Sequence, residues 1–359
     1  MVASTVFVRP LFLVCRRLTR QLWPRMTIVW ALFLAFWGAF AAVAAAPPAR
    51  LPETPLFGRQ CVDLAAWANS SQLEMTWERR SGAVRVSNRS TRLAFTVDSR
   101  RAEINGIQAW LSVPIIPHRD RLYIASIDLQ TLLRPILNPP RNEPGRKVRV
   151  VALDPGHGGK DPGNQAGREQ EKTLTLLLAA KVRTLLRDAG LRVVLTRYSD
   201  QFVDLPERPA LAKKQRADLF VSLHYNSTDP GNTGVKGLEA YCLTPATALS
   251  TNARGDSGST APQPGNRYDS KNALLAYQVH KALVRTVTAD DRGLRRARFS
   301  VLRTAEMPAV LIEGGFMTSA EEARAILNGT RRDELARAIV DGILAYKRLV
   351  ERPGPRARE

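Results

Sequence analysis

The stretch "VALDPGHGGKDPGNQAGREQEK", residues 151–172, joins an apolar run, a glycine-rich turn with one histidine and the start of a helix. A buried strand that leads through a turn into a helix is the repeating unit of α/β proteins. Glycine-rich turns at this place often bind nucleotide phosphates, but the G-x-G-x-x-G pattern counted from Gly156 fails at Asp161. The Walker pattern fails as well, because neither Ser nor Thr follows the Gly-Lys pair of the loop. The turn is therefore not predicted to hold a nucleotide, and His157 needs another role.

Residues 148–350 predict a large α/β domain. Apolar runs without polar alternation predict strands buried on both faces, and apolar residues at helical spacing predict helices over 172–189, 272–287 and 331–350. Strands that alternate with helices favour a mostly parallel sheet covered by helices on both faces. Residues 246–270, rich in Ser, Thr, Gly, Asn and Pro, predict an exposed loop inserted in this domain. The predicted strands are "VRVVAL", "RVVLT", "LFVSL", "GLEAYCL" and "AVLIE".

Residues 51–137 predict a separate small α+β domain. Its strand-like runs "AVRVS", "RLAFTV" and "AEINGIQAWL" include Asn105-Gly106, a dipeptide typical of a two-residue hairpin turn. The amphipathic stretches "CVDLAAWANSS" and "IASIDLQTLLRPIL" on either side predict helices. No cluster of His, Glu or Cys in this part suggests chemistry. The Pro-rich residues 138–147 predict a linker, so the small domain is expected to be tethered and mobile.

Residues 1–46 have the layout of an export signal. Five arginines precede the uncharged apolar stretch Met26–Ala46, which ends in small residues around Ala44. A positive region, a hydrophobic region and an A-x-A site in that order are typical of a secretory signal peptide. The apolar stretch is also long enough for an uncleaved membrane anchor. Both alternatives predict an exported protein of the periplasm or cell wall.

The composition is strongly basic, with a net charge of +20 at pH 7. In an exported protein this charge favours contact with anionic wall or envelope polymers. The Lys and Arg residues are scattered along the chain, with neither a basic helix nor an interleaved aromatic ladder. No nucleic-acid partner is therefore expected.

The 3 cysteines are too few for a disulfide scaffold. Cys15 lies in the predicted signal, which leaves Cys61 and Cys242, and neither has a Cys or His nearby at metal-ligand spacing. An interdomain disulfide between these two is chemically feasible after export. The prediction is nevertheless two buried free thiols, because Cys242 lies within a buried strand pattern.

Residues able to bind a metal follow three of the predicted strands. His157 comes after "VRVVAL", His224 ends "LFVSL" and Glu313 follows "AVLI". Because the carboxyl ends of parallel strands meet at one edge of a sheet, these side chains are expected to lie close together, and Glu171 can join them from the next helix. Two imidazoles and a carboxylate with an open fourth position make a catalytic zinc site, and a second carboxylate can supply the base. The alternative is that the histidines are core or helix-capping residues.

The motifs of this part resemble those of the zinc-dependent N-acetylmuramoyl-L-alanine amidases of the amidase_3 type. The resemblance covers residues 148–348, with the motifs in the order of the family. It implies that His157, Glu171 and His224 bind one zinc ion. It also implies that Glu313 is the catalytic acid/base. The motifs are "DPGHGGKDPG…EK", "TRYSD", "LFVSLHYN", "RGL…FSVLR" and "PAVLIEGGFMTSAEE".

The reaction implied by the resemblance is hydrolysis of the amide bond between N-acetylmuramic acid and the L-alanine of the peptidoglycan stem peptide. Zinc-activated water attacks the carbonyl carbon, and Glu313 takes the proton and passes it to the leaving nitrogen. One alternative is a zinc amidase or peptidase that acts on another extracellular substrate. The other is a wall-binding protein without catalysis, which is disfavoured because all the predicted catalytic positions carry competent residues.

Further motif residues are expected to support the site. Asp154 is expected to hydrogen-bond a ligand histidine. Arg197, Asp200 and Arg208 are expected to form a structural ion network rather than to contact the substrate. Asn226 is expected to structure a loop.

Three positions qualify the resemblance. Glu169 could compete with Glu171 as a ligand, but only Glu171 is followed by Lys and the start of the helix. Tyr225 stands where the family usually has Ala, and it is expected to reshape the substrate groove. The sequence "GGF" at 314–316 replaces the more usual "VGF" or "TSF".

The small domain at 51–137 resembles the copper-amine-oxidase-like N-terminal domain of exported wall proteins, a likeness that does not imply copper. As a mobile basic module it is expected to raise the local concentration of the enzyme on an anionic polymer. The polar loop at 246–270 has no amphipathic pattern, so no inhibitory helix is expected there. The residues that carry the resemblance are Asp63-Leu64, Trp77, Val84, Asn105-Gly106 and Tyr123.

Overall fold

The computed structural model describes residues 51–229, 232–251 and 260–353. The predicted signal peptide or anchor at residues 1–46 lies outside these ranges. Within them, no helix combines the length and the apolar character needed to cross a membrane. The chain from Leu51 onward forms one compact unit.

Residues 51–137 fold mainly into β-strands. The strands are β1 (Glu53–Leu56), β2 (Arg59–Asp63), β3 (Glu74–Glu78), β4 (Ala83–Ser87), β5 (Arg92–Thr96), β6 (Arg101–Ile104), β7 (Ile107–Trp110), β8 (Ile116–His118) and β9 (Arg121–Ala125). The helical segments are α1 (Leu64–Ser70), α2 (Ser126–Asp128), a π-helical turn (Leu129–Leu133) and α3 (Arg134–Leu137). Strands β3 to β7 form an antiparallel meander, and the other four form a small sheet of order β1-β2-β9-β8.

The rest of the chain alternates strands and helices. The strands are β10 (Val150–Pro155), β11 (Gln165–Ala166), β12 (Glu169–Gln170), β13 (Arg192–Leu195), β14 (Leu219–Asn226), β15 (Leu238–Leu243), β16 (Asp291–Ala297) and β17 (Ala309–Phe316). The helices are α4 (Glu171–Asp188), α5 (Glu207–Lys214), a 3-10 helix (Pro264–Tyr268), α6 (Asp269–Thr286), α7 (Ser300–Arg303), α8 (Ala320–Leu327) and α9 (Gly329–Val350).

The described residues of the two parts share an 11-stranded sheet of order β13-β10-β14-β17-β15-β16-β7-β6-β5-β4-β3. Strands β13, β10, β14 and β17 are parallel, whereas β15 is antiparallel to β17 and parallel to β16. The α/β class is therefore confirmed, and the sheet is mixed. The connection from β14 to β15 has no helix in its described residues, and a parallel return usually needs a helical crossover.

The two faces of the sheet are covered by different helices. On one face, α4, α6 and α9 pack on residues such as Val221 and Ile312. On the other face, α5 and the short α7 pack near Phe220 and Leu311. Because side chains alternate along a strand, His224 and Glu313 lie on this second face, at the ends of β14 and β17.

The predicted hairpin at Asn105-Gly106 is confirmed. It joins β6 to β7, and both residues are left-handed, with φ of 51° and 80°. A two-residue turn with positive φ at both positions matches the twist of the flanking strands, and Asn-Gly tolerates it best.

The β-rich part packs against the rest of the chain rather than apart from it. Strand β7 runs parallel to β16, with Ala109 opposite Leu294. Apolar residues of both parts belong to the same hydrophobic cluster. The hydroxyl of Tyr277 on α6 donates to the carbonyl of Ile104 at 3.0 Å. The expectation of a mobile module is corrected by these contacts, while the domain boundaries given above remain a prediction.

The predicted linker at 138–147 is also held in place. The backbone N–H of Asn142 donates to the carbonyl of Val350 at 2.7 Å. The Lys271 ammonium donates to Oδ1 of Asn142 at 2.8 Å. These bonds tie the segment to α6 and α9, so its Pro-rich composition does not make it a free tether.

Cys61 and Cys242 are both buried, and neither forms a disulfide in the part of the chain that the structure covers. This confirms the prediction of free thiols. Burial raises the pKa of Cys242 to about 11, so this thiol is protonated and unreactive at neutral pH.

The inserted loop at 246–270 is only partly exposed. Ala248 and Ser250 are buried, and the hydroxyl oxygen of Ser250 lies 2.8 Å from that of Thr244. Residues 252–259 lie outside the described ranges. The expectation of an exposed loop is thus corrected for its first residues, which pack against the strand that precedes them.

Candidate metal centre

The glycine-rich turn after β10 packs closely around side chains from later parts of the sequence. A Cβ on Gly156 would lie 2.2 Å from Cε1 of His224, and one on Gly163 would lie 2.7 Å from Oε2 of Glu171. His157, between these glycines, has a φ of 63°, in a region that non-glycine residues rarely adopt and that is enriched at functional sites. Gly156 and Gly163 are needed because the side chains of His224 and Glu171 occupy the space that a Cβ would fill.

Glu171, the first residue of α4, contacts both histidines. Its Oε2 lies 3.1 Å from Nε2 of His157, and its Oε1 lies 3.0 Å from Nδ1 of His224. The carboxylate also accepts hydrogen bonds from the backbone N–H groups of Asn164 at 2.9 Å and Tyr225 at 3.0 Å. Burial by itself raises the pKa of Glu171, but the contacts with His157 and His224 outweigh it and lower the pKa well below its usual range. The side chain is therefore an ionised and rigidly held carboxylate.

These three residues form a compact donor set. One ligand atom from each of His157, Glu171 and His224 lies within 4.8 Å of the others. The side chains of the two histidines are 22% and 18% exposed, so the set is open to solvent on one side. Two imidazole nitrogens and a carboxylate oxygen with an open position suit a catalytic Zn²⁺. The structure thus brings together the predicted ligands, whereas the competing Glu169 is exposed on β12.

Asp161, which the sequence reasoning missed, contacts His157 from the other side. Its Oδ2 lies 2.8 Å from Nδ1 of His157, and its Oδ1 accepts a hydrogen bond from the backbone of Gly163 at 3.1 Å. Such a carboxylate fixes the ring orientation of a ligand histidine and leaves the other nitrogen for the metal. Burial lowers the pKa of His157, but Glu171 and Asp161 outweigh it and raise the pKa. The only signal in the sequence is an acid four residues after the histidine of the same loop.

Glu313 lies beside the donor set on β17. In the sheet register it stands opposite His224 of β14 on one side and opposite Glu239 of β15 on the other. Its Oε2 is buried, and no hydrogen-bond donor among the described residues reaches it. Burial and the negative charges of Glu171 and Glu239 raise the pKa of Glu313 well above its usual value. A partly buried carboxyl group with high proton affinity next to a metal-type site is suited to carry a proton.

Asp154 does not contact a ligand histidine, so that expectation is corrected. Its buried carboxylate accepts hydrogen bonds from Thr196 at 2.6 Å, Ser222 at 2.7 Å and Arg208 at 3.0 Å. Ser222 lies on β14, Thr196 directly follows β13, and Arg208 lies on α5. Asp154 therefore stabilises the strands beneath the loop, and Asp161 takes the role expected of it.

Arg197, Asp200 and Arg208 support the loop through separate contacts rather than as one ion network. Arg197 is buried and donates to backbone carbonyls at the base of the glycine-rich turn. Arg208 donates to the carbonyl of His157 at 2.9 Å. Asp200 accepts a hydrogen bond from the Lys172 ammonium at 2.7 Å. All three contacts favour the structural role that the sequence suggests.

The two departures from the usual family motifs contact each other. Tyr225 is fully buried, so it does not reshape the substrate groove as expected. A Cβ on Gly314 would lie 3.0 Å from Cε1 of Tyr225. The ring at 225 occupies the space that a side chain at 314 would need, so each departure accounts for the other.

Glu239 is a second carboxylate that the sequence reasoning missed, and it is buried. The side chain of Asn226 donates to it at 2.8 Å and the hydroxyl of Tyr241 also at 2.8 Å. Nε of Arg292 lies 2.8 Å from its Oε1, and Nε of Arg295 lies 3.1 Å from the same oxygen. Asn226 thus has the structural role expected of it, and Glu239 is held from both sides.

A family profile matches the part of the sequence that contains this site. The profile of Amidase_3, described as N-acetylmuramoyl-L-alanine amidase, matches residues 151–345. This chain belongs to the Amidase_3 family. The matched residues include the candidate ligands and Glu313.

Curated relatives include proteins named N-acetylmuramoyl-L-alanine amidase. The sporulation-specific N-acetylmuramoyl-L-alanine amidase of Bacillus subtilis (strain 168) is 34% identical over 195 residues, which cover 54% of this chain and 66% of that protein. The N-acetylmuramoyl-L-alanine amidase AmiA of Escherichia coli (strain K12) is 32% identical over 222 residues, which cover 55% of this chain and 76% of that protein.

The alignments leave parts of the relatives unmatched. This chain spans 66% of the sporulation-specific amidase, 36% of LytC of Bacillus subtilis (strain 168) and 58% of AmiC of Escherichia coli O6:H1. Among solved structures, an N-acetylmuramoyl-L-alanine amidase from Clostridium difficile 630 is 33% identical. The alignment covers 56% of this chain and 97% of that one, with a TM-score of 0.47.

Proposed function

We propose that this protein is a zinc-dependent N-acetylmuramoyl-L-alanine amidase that hydrolyses peptidoglycan. The bond cleaved is the amide between N-acetylmuramic acid and the L-alanine of the stem peptide. The observation that carries the proposal is the cluster of His157, Glu171 and His224 beside Glu313, inside the residues that the family profile matches. The names of the relatives support the same activity.

The zinc ion would be held by His157, Glu171 and His224. When bound, zinc supplies a Lewis acid that lowers the pKa of water and polarises a carbonyl oxygen. Asp161 keeps the ring of His157 turned so that Nε2 faces the site. Glu171 is ionised, and its backbone donors keep its two oxygens directed at the histidines.

Glu313 is the group that moves the proton in this proposal. It lies on the same face of the sheet as His224 and directly opposite it in register. Its high proton affinity allows it to accept a proton from the attacking water and to return it to the leaving nitrogen of L-alanine. Its Oε2, which no described donor engages, is available for that transfer.

The proposal includes a location and a partner. The net charge of +20 suits attraction to anionic polymers of a cell wall. The signal-like residues 1–46 support export to the periplasm or the wall. Peptidoglycan is the expected partner, and nucleic acid is not.

Digestion of purified wall sacculi tests the proposal. The protein is expected to release intact stem peptides with a free L-alanine amine, to stop in the presence of a chelator and to recover when Zn²⁺ is added back. Cleavage within the stem peptide would instead show a zinc peptidase. Binding without release of any fragment would show a wall-binding protein and contradict the proposal.

A further inference from the structure

Glu239 lines one side of the proposed acid/base. His224, Glu313 and Glu239 stand opposite one another across β14, β17 and β15. Directly opposed residues of neighbouring strands point to the same face and pack side by side. Glu239 is 2% exposed, so its carboxyl group is shielded from water, whereas Glu313 is partly exposed. The position of Glu239 therefore limits where the carboxyl group of Glu313 can lie.

A bulge on β16 directs Arg292 at Glu239, and Arg295 reaches the same carboxylate from the regular part of the strand. The register between β15 and β16 shifts at this point, so that Arg292 and Gly293 together oppose Glu239. Gly293 has a φ of 95°, which favours glycine. Bulges next to active sites often re-aim a side chain. Here the bulge brings Nε of Arg292 to 2.8 Å from Glu239, and Arg295 approaches to 3.1 Å.

Strand β7 of the β-rich part holds this bulge in place. The indole N–H of Trp110 donates to the carbonyl of Arg292 at 2.8 Å. The guanidinium of Arg295 lies over the Trp110 ring, 4.8 Å from its centroid. A Cβ on Gly293 would come within 3.0 Å of the same ring. The side chain of Gln108 adds a hydrogen bond to the Arg292 carbonyl at 3.2 Å.

We infer that Trp110 is a positioning residue for Glu313, acting through these two arginines and Glu239. The inference rests on the proposed function. Loss of the indole removes a backbone hydrogen bond and a cation–π contact from the two groups that hold Glu239. Because Glu239 packs beside Glu313 in the sheet register, a loosened Glu239 no longer fixes the place of Glu313 opposite His224. Residues 51–137 are thereby part of the catalytic unit.

Trp110→Ala tests this inference, with Trp77→Ala as the matched control. Trp77 lies on β3 at the far end of the same sheet and packs on the same hydrophobic cluster, away from the bulge. Steady-state kinetics on a soluble muropeptide, the zinc content and the melting temperature are measured for both full-length variants. Trp110→Ala is expected to lower kcat about tenfold, because small misplacements of catalytic groups cost up to ~10²-fold. KM and zinc content should stay near their wild-type values, and Trp77→Ala should keep the wild-type kcat.

The conservative variant Trp110→Phe keeps an aromatic ring under Arg295 but lacks the indole N–H. Its kcat is expected to lie between those of the wild type and Trp110→Ala. If Trp110→Ala does not fold, Trp110→Phe decides alone, and a wild-type kcat overturns the inference. Equal kcat values for Trp110→Ala and Trp77→Ala overturn it as well, while the proposed function stands. An inactive wild-type protein overturns both.

Discussion

The glycine-rich loop and strand β17 each place a glutamate at the same edge of the sheet, but the two carboxyl groups have opposite surroundings. Glu171 contacts two imidazoles and accepts backbone hydrogen bonds, and these lower its pKa. Glu313 has an oxygen that no described donor reaches, and burial raises its pKa. The same residue type is thus prepared for two tasks.

The contrast supports the roles proposed for the two residues. A carboxylate that stays ionised and is fixed by partners suits a metal ligand, whereas one that retains a high proton affinity suits an acid/base. The difference lies in the partners: two imidazoles and backbone donors contact Glu171, whereas no donor among the described residues reaches Oε2 of Glu313. Variants that remove partners or charges on one side only should therefore have different consequences.

The largest effect is expected from the ligand side. His157→Ala removes one of three donors and leaves Glu171 without one of its imidazole partners, so the protein should lose its zinc and its hydrolytic activity together. Metal analysis and digestion of sacculi on the same preparation check this. A His157→Ala protein that is fully active without bound zinc would rule out the metal centre.

An intermediate effect is expected where the two regions touch. Tyr225 donates its backbone N–H to Glu171 and packs its ring against Gly314, the neighbour of Glu313. Tyr225→Ala should cost about 3–5 kcal/mol of unfolding free energy through the cavity it leaves, and Gly314→Val about 1–3 kcal/mol through overpacking.

The loss of unfolding free energy in the double variant Tyr225→Ala/Gly314→Val should be smaller than the sum of the two single losses by about 1 kcal/mol or more. Denaturant unfolding of the four proteins in this cycle measures the coupling. Additive effects would show that the ring and the missing side chain do not share one space.

The smallest effect concerns stability in the metal-free protein. The raised pKa of Glu313 contributes stability below its ordinary value of 4.5, and this contribution is lost as the pH rises. The lowered pKa of Glu171 contributes stability above 4.5, which is lost as the pH falls. At about pH 8 in chelator, Glu313→Gln should therefore melt above the wild type and Glu171→Gln below it, and both differences should shrink towards about pH 4. Changes in melting temperature of the same sign for both variants at about pH 8 would contradict the contrast between the two carboxyl groups.

The sequence identifies the side chains at strand ends better than it identifies their partners. His157, His224 and Glu313 follow apolar runs, and parallel strands bring such positions together by geometry alone. The hairpin at Asn105-Gly106 is equally predictable from the sequence, because its turn depends on two adjacent residues. The expected contact of Asp154 with a histidine is wrong, because proximity in sequence does not determine which of several buried donors binds a carboxylate.

The connection between the two parts of the chain could not be predicted either. Pairing between β7 and β16 joins residues such as Trp110 and Arg292 that lie far apart in sequence. Neither strand carries a local sequence pattern that identifies the strand with which it pairs. The sequence predicts a mobile tether at residues 138–147 for a related reason. The contacts that hold this segment are with α6 and α9, which lie far away in the sequence.

The zinc content and turnover of Glu171→Gln and Glu313→Gln, measured side by side in the full-length protein, test the division of roles most directly. Glu313→Gln is expected to retain about one zinc per chain and to lose turnover by roughly 10²-fold or more, because it cannot accept the proton. Glu171→Gln is expected to lose both the zinc and the activity. Retention of zinc by Glu171→Gln together with its loss from Glu313→Gln would contradict the account, because the ligand and the acid/base would then be exchanged.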